Sequence, residues 1–221
     1  MRIIEPSFSL HTQSGPLTEE KGIELLRWIE FNGRISHRSE DKQSEESWKR
    51  FIPAVVLDHG DWSIVEHATA TAILRIDRGC THELVRHRLF SYTQESTRFV
   101  NYKKVGEIDV IKPEGLDPDL DTPWIESVSK ACLGYTQLME RKASPQLARS
   151  VLPNALASTI SVTGNLRNFR HLFLMRTSKE THPDMKRTVI PMLLEFQKNV
   201  PYLFTDIVPN ERQIDNLRKP R

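Results

Sequence analysis

Between Arg86 and Arg98 the chain reads Arg-His-Arg-Leu-Phe-Ser-Tyr-Thr-Gln-Glu-Ser-Thr-Arg, gathering three guanidiniums, an imidazole and several hydroxyls into thirteen residues. Planar guanidinium forks suit bidentate contacts with phosphate, and serine and threonine hydroxyls with nearby backbone N–H groups supply further donors. The segment reads as an anion receptor whose natural guest is a pyrophosphate or a nucleotide monophosphate. A solvated helix end would carry charges in the same way. Phe90, Tyr92, Phe99 and Tyr102 interleave with the cations, so the alternative from another class is a module that stacks the bases of a single-stranded nucleic acid. Ser91 and Ser96 lack the Gly-x-Ser-x-Gly elbow and a clear His/Asp pair, which makes them donors rather than nucleophiles. His67, His82 and His87 lie near Glu66 and Glu83 without the ligand spacing of a zinc site, so no metal is expected.

The order Arg-His-Arg, two residues, Ser, four residues, Ser, one residue, Arg resembles the signature of flavin-dependent thymidylate synthases. The likeness extends on both sides of it. His59-Gly60, Ser63 and Glu66-His67 precede the motif, Ala148-Arg149-Ser150-Val151-Leu152-Pro153 follows, and Asn165-Leu166-Arg167, His171 and Arg176 fall at the family's spacing, so the resemblance covers roughly residues 17 to 204. Residue by residue it implies that FAD is held by Ser63, Arg86, His87, Arg88, Gln94, Asn165, Leu166, Arg167 and His171. It implies that dUMP meets Glu83, Leu84, Val85 and Arg86, then Gln94, Glu95, Ser96, Thr97 and Arg98, with Arg149 and Arg176 beside them. The implied reaction is reductive methylation of dUMP to dTMP, with methylenetetrahydrofolate as one-carbon donor, FAD reduced by NADPH as hydride source, and Arg176 as the residue that activates the pyrimidine. A homotetramer is implied as well. Two places depart from the family pattern: Thr93-Gln94 stands where many members have Asn-Glu, and His182-Pro183-Asp184-Met185-Lys186 comes two residues late, which leaves His182 outside the expected site.

The bulk composition places these residues in an ordinary globular setting. Lysine and arginine exceed aspartate and glutamate by 31 to 29, so no general field holds nucleic acid or an anionic membrane, and any basic site is local. No apolar run approaches the length of a membrane helix, and the Met1 to Glu5 start lacks a signal-peptide core, so a cytoplasmic protein is expected. Cys80 and Cys132, the only cysteines, are too few for a disulfide framework and form no CxxC pair.

The elements that must position the site follow from periodicity and caps. A helix is predicted from Thr18 to Phe31 with Asn32-Gly33 as its stop, then a polar connection over Ser36 to Glu46. A second helix presents Trp48, Phe51, Val55 and Val56 on one face until His59-Gly60, with Pro53 in its first turns or as a kink. Ala68 to Ile76 alternates like a strand, and Thr81 is expected to cap a short helix whose last turn holds Arg86, His87 and Arg88. Tyr92 to Tyr102 reads as extended or looped, Glu107 to Lys112 as a strand, and Pro113 to Asp121 as turns. Thr122-Pro123 then starts an amphipathic helix that puts Ile125, Val128, Cys132, Tyr135 and Met139 on one side. Pro145 opens a short helix ended by Pro153, Ala157 to Thr163 is a strand broken at Gly164-Asn165, and Leu166, Phe169, Leu172 and Phe173 form a helical face. The last helix is expected from Pro183 to Val200 with a bend at Pro191, before a polar tail beyond Pro209. Without repeats or low-complexity linkers, residues 1–221 read as a single α+β domain with a mainly antiparallel sheet.

Overall fold

The computed structural model describes residues 1–209, so the tail predicted after Pro209 lies outside the described residues. In chain order, β1 (Arg2–Ile4), β2 (Ser7–Thr12) and β3 (Gly15–Pro16) lead into α1 (Glu19–Ile35). Thr18 caps α1 as its sequence position suggests, its hydroxyl accepting from the Lys21 N–H at 3.3 Å, with Glu19 and Glu20 at the positive end of the helix dipole. The helix does not stop at Asn32-Gly33. A Cβ on Gly33 would stand 2.7 Å from Phe51 Cζ and 2.9 Å from Ile64 Cδ1, so this glycine serves a close approach of side chains rather than termination.

The next helix is a short α2 (Trp48–Phe51) that widens into a π-helical segment, Ile52–Asp58. Pro53 has no N–H to continue the α pattern, and the wider turn closes with the His59 N–H on the Ala54 carbonyl at 3.1 Å. The buried residues are accordingly Trp48, Ile52 and Val56, not the predicted set that included Phe51 and Val55. Beyond it β4 (Thr69–Asp77) shows the expected alternation, with Ala70, Ala72, Leu74 and Ile76 buried. Helix α3 (Arg78–Leu84) begins one turn earlier than expected. Asp77 is its cap, accepting from the Cys80 N–H at 2.9 Å, while Thr81 lies inside the helix, buried, with its hydroxyl on the Arg78 carbonyl. The helix therefore ends before Arg86, His87 and Arg88 instead of carrying them in its last turn, and Cys80 is a buried residue within it.

The chain continues through β5 (Ser91–Gln94), α4 (Tyr102–Val105) and β6 (Asp109–Ile111) to α5 (Pro118–Glu140). Pro118 at the first helical turn and the Asp117 carboxylate, which accepts from the Asp119 N–H at 3.0 Å, start α5 before Thr122-Pro123 and absorb part of the predicted turn region. Its buried face is Val128, Cys132 and Tyr135; Ile125 remains exposed. After α6 (Pro145–Ala148), β7 (Ala157–Asn165) runs directly into α7 (Leu166–Arg176) because Asn165 caps that helix, accepting from the Asn168 N–H at 2.8 Å, so Gly164-Asn165 is a junction and not a break. Helix α8 (Pro183–Asn199) buries Met185, Val189, Met192, Leu193 and Phe196.

The strands form a five-stranded sheet in the order β3-β2-β4-β7-β5 and a two-stranded parallel pair β1-β6 with Arg2 opposite Asp109. Helices and a mainly antiparallel sheet give the α+β class read from the sequence. The chain divides into two compact units. The first comprises Met1–Phe8, Leu74–Arg86 and Tyr92–Ser161; the second comprises Ser9–Ile73, His87–Ser91 and Val162–Arg221. The first unit packs Tyr102, Ile108, Val110, Val128, Cys132, Tyr135, Ala148 and Leu156 into one apolar cluster. The core of the second includes interlocking rings of Phe90, Phe169, Phe173, Phe196 and Phe204, set mostly edge to face or tilted at centroid separations of 4.9 to 6.2 Å.

Candidate active site

Most of the expected cofactor contacts fall in the second unit: Ser63, His87, Arg88, Asn165, Leu166, Arg167 and His171, together with Arg176. Helix α7 carries the last four of these with Asn165 as its cap, and its register decides what each can offer. Leu166 faces the core and its N–H donates to the Ala68 carbonyl at 2.9 Å, whereas Arg167 and His171, four residues apart, stand exposed on the opposite side. Arg176, at the end of α7, donates its Nε–H to His87 Nε2 at 2.9 Å, and the His171 ring meets His87 edge-on at a centroid separation of 6.0 Å. His87 is half-buried, and burial together with the positive charge of Arg176 and the neighbouring His171 lowers its pKa to about 4. At neutral pH His87 is thus an uncharged imidazole that accepts at Nε2 and carries its proton on Nδ1. Two cations are not forced together, and the Arg176 guanidinium is held in a defined plane.

Phe90 anchors this stretch by its ring against Phe169, and the Asn168 side-chain amide donates to the Leu89 carbonyl at 3.0 Å. Immediately before these two fixings Arg88 is exposed. Arg167 pairs with Glu66, and Ser63 lies exposed on the 3-10 turn Trp62–His67.

The first unit holds Arg86, Gln94 and most of the expected substrate contacts: Glu83, Leu84, Val85, Glu95, Ser96, Thr97, Arg98 and Arg149. Leu84 is buried and its carbonyl accepts from the Tyr92 hydroxyl at 2.8 Å; burial raises the Tyr92 pKa to about 12, which keeps that donor protonated. Gln94 donates to the Thr81 and Ser158 hydroxyls at 3.0 and 3.1 Å, so the amide that replaces the family's usual carboxylate is fixed by two neutral oxygens. After β5 the residues Ser96 to Val100 close a tight turn, with the Phe99 and Val100 N–H groups on the Ser96 carbonyl at 3.0 and 2.9 Å. Arg149 reaches the buried Thr97 hydroxyl at 3.3 Å, and Arg98 donates to Gln146 at 3.1 Å. Segments far apart in sequence are thereby joined, and Arg86, Arg98 and Arg149 are exposed around them.

Sequence reasoning missed Asn168 as the support of Leu89, Glu66 as the partner of Arg167, and Thr81 with Ser158 as the supports of Gln94. Asn168 had a local signal, since it lies three residues after the capping Asn165, but its side-chain partner did not. Of the four aromatics that suggested a base-stacking platform, Phe90 and Tyr102 are buried and Tyr92 partly so, which leaves only Phe99 exposed. Among the described residues there is no helix long and apolar enough to cross a membrane.

The family model described as thymidylate synthase complementing protein matches residues 24–202. A flavin-dependent thymidylate synthase of Mycolicibacterium vanbaalenii is 34% identical over 197 residues, covering 80% of this chain and 78% of that relative. Those of Mycobacterium tuberculosis and Corynebacterium efficiens are 35% identical over 201 and 211 residues, covering 80% and 86% of this chain and 78% and 81% of the relatives. Among solved structures, the crystal structure of a UMP/dUMP methylase PolB from Streptomyces cacaoi bound with 5-Br dUMP superposes with a TM-score of 0.70 at 19% identity, covering 90% of this chain and 93% of that one, which shows a shared fold. On the extent of the family match and the identity to these relatives, the chain belongs to the flavin-dependent thymidylate synthases, a family of methyltransferase enzymes.

Proposed function

We propose that this protein converts dUMP to dTMP, taking a one-carbon unit from methylenetetrahydrofolate and a hydride from FAD that NADPH has reduced. The observation that carries the reading is the oriented pair of Arg176 and neutral His87, with His171 at its edge and exposed Arg88 next to it in sequence. That donor set fits a flavin dinucleotide. Arg88 is a guanidinium suited to phosphate, Arg167 stands in the N-terminal turn of α7 where an anion is favoured, and Ser63 and Asn165 add uncharged donors. His87 Nδ1–H and the His171 ring would line the same surface. When bound, FAD would supply hydride transfer, chemistry that no side chain provides.

The remaining steps belong to the chain's own groups. Arg176 stabilises negative charge spread through the uracil ring by donating to its carbonyl edge, which favours the ionised and more nucleophilic pyrimidine. His87 holds that guanidinium in place without competing for charge. Arg86, Arg98 and Arg149 bind the nucleotide phosphate, and the main chain of Ser96 to Arg98 offers N–H donors to it. Methylenetetrahydrofolate and NADPH are co-substrates of this scheme. Residues 1–221 act as one catalytic domain in the cytoplasm, assembled as a homotetramer, since closed symmetric assemblies are the usual form of soluble oligomers. The test is the visible spectrum of the purified protein. A flavin absorption band that survives desalting supports the reading; a colourless protein that takes up no FAD on reconstitution overturns it.

A further inference from the structure

We infer that Arg75 and Tyr102 are positioning residues for the nucleotide-binding turn, acting through the carboxylate of Glu95. This rests on the proposed function, in which Ser96, Thr97 and Arg98 meet dUMP. Glu95 leaves the end of β5 and Tyr102 opens α4, so the two residues stand at the entry and exit of the turn that carries those contacts. The Tyr102 hydroxyl donates to Glu95 Oε1 at 2.7 Å and closes the turn at its base. Glu95 is tied to β7 from both main chain and side chain: its N–H donates to the Thr159 carbonyl at 2.8 Å, and its Oε2 accepts from the Thr159 N–H at 3.4 Å. Tyr102 is fixed in turn, with its N–H on the Tyr135 hydroxyl at 3.2 Å and its ring edge-on to Tyr135.

Arg75 supplies the countercharge. Its Nη1 lies 3.6 Å from Glu95 Oε2 and donates to the Thr159 hydroxyl at 3.0 Å, while its Nη2 donates to Asp109 Oδ2 at 2.8 Å. Asp109 also accepts a bidentate pair from Arg2 at 2.8 and 3.0 Å, and the two guanidiniums hold its carboxyl below the usual carboxylate range. Arg2, Arg75, Glu95 and Asp109 line a cavity of about 380 Å³ shared with Val100, Tyr102 and Glu107. The Glu95 and Asp109 side chains are only 18% and 11% exposed, so each carboxylate depends on protein donors rather than on water. The turn is therefore clasped at its base by one phenol and one carboxylate, with Arg75 beside one carboxylate oxygen and Tyr102 on the other. A turn free to open would present Ser96 to Arg98 in many geometries, and affinity for the nucleotide would fall by the fraction of time the competent one is lost.

The experiment uses FAD-loaded enzyme and the variants Tyr102→Phe, Arg75→Met, Arg75→Lys and Glu95→Ala, alone and in pairs. Tyr102→Phe keeps the ring on Tyr135 and removes only the clasp. Its dUMP KM should rise about ten-fold, in line with a lost hydrogen bond to a charged group, with kcat and flavin content changed much less. Amide exchange over residues 96–101 should accelerate. Arg75→Met should act in the same direction and Arg75→Lys should recover part of the loss. Because both residues act through Glu95, neither Tyr102→Phe nor Arg75→Met should raise KM further in the Glu95→Ala background. Unchanged KM in Tyr102→Phe, or an equal further rise without Glu95, overturns the positioning role while leaving the proposed function intact. A parent enzyme that neither binds dUMP nor forms dTMP overturns the proposed function and this inference with it, whatever the exchange rates show.

Discussion

Substituting Gly164 by Ala should disturb the Arg-His-Arg segment from outside it. An added Cβ would stand 2.4 Å from Phe90 Cδ1, 2.7 Å from Cε1 and 3.3 Å from Cγ. Carbon atoms pack at about 3.5 to 4.0 Å, so the ring must retreat by about 1 Å. It has little room to do so, because its other side meets Phe169, which is fully buried against Phe173 and Phe196. Overpacking of this kind costs about 1 to 3 kcal/mol, and at about 2 to 4 °C per kcal/mol for a chain of this size Tm should fall by about 2 to 12 °C. The displacement passes into the main chain of 87–90, where the Asn168 to Leu89 hydrogen bond and the His87 contact with Arg176 depend on position, so flavin retention should fall as well. Thermal denaturation and FAD equilibrium binding read the two effects. Phe90→Leu, which shortens the side chain facing the new methyl, should restore part of both in the double variant relative to Gly164→Ala. A Gly164→Ala protein with unchanged Tm and unchanged flavin affinity would refute the claim that this glycine holds the motif in place.

Arg176→Ala should lower kcat for dTMP formation by about 10²-fold or more, as removal of one transition-state donor does elsewhere, while FAD content measured by absorbance stays within a few-fold of the parent. The His87 ring, followed by NMR, should titrate near pH 4 rather than near 6.5; removing Arg176 should raise that pKa only in part, because burial is the larger cause. The sign for stability follows: the folded pKa lies below the unfolded value, so the contribution is present above about pH 6.5 and is lost as pH falls from there through 4, where an imidazolium no longer accepts from Arg176. The pair Cys80→Ala and Cys132→Ala should retain dTMP synthesis in a steady-state assay, since both thiols are buried and burial pushes the Cys132 thiol pKa up, the opposite of an activated nucleophile.

What the sequence disclosed divides by the range of the interaction involved. The start of α1 at Thr18, the alternation of β4 and the buried face of α7 are decided within a few residues, and they appear where pattern places them. Gly33 misleads because a glycine after an asparagine looks like a stop, while its reason is two side chains, Phe51 and Ile64, that pattern does not bring beside it. The early start of α5 was readable in Asp117-Pro118 but was outweighed by the stronger Thr122-Pro123 signal. The candidate site follows the same division. The motif from Arg86 to Arg98 is contiguous and could be matched to a family, whereas the contact of His87 with Arg176 spans 89 positions and the clasp on Glu95 draws on β4, β6 and β7. The resemblance names Glu95 among the expected substrate contacts, and what it does not disclose is that the carboxylate is engaged by Tyr102, Thr159 and Arg75.

Arg176, steadied by neutral His87, is proposed to serve a flavin-dependent methylation of dUMP. The direct measurement is dTMP formed by the purified, FAD-loaded protein from dUMP, methylenetetrahydrofolate and NADPH, with tetrahydrofolate followed in the same reaction. dTMP is expected in an amount matching NADPH oxidised, with tetrahydrofolate rather than dihydrofolate as the folate product, as a hydride taken from the flavin and not from the folate requires. No dTMP from a folded, flavin-loaded protein, or dTMP accompanied by equimolar dihydrofolate, would contradict it.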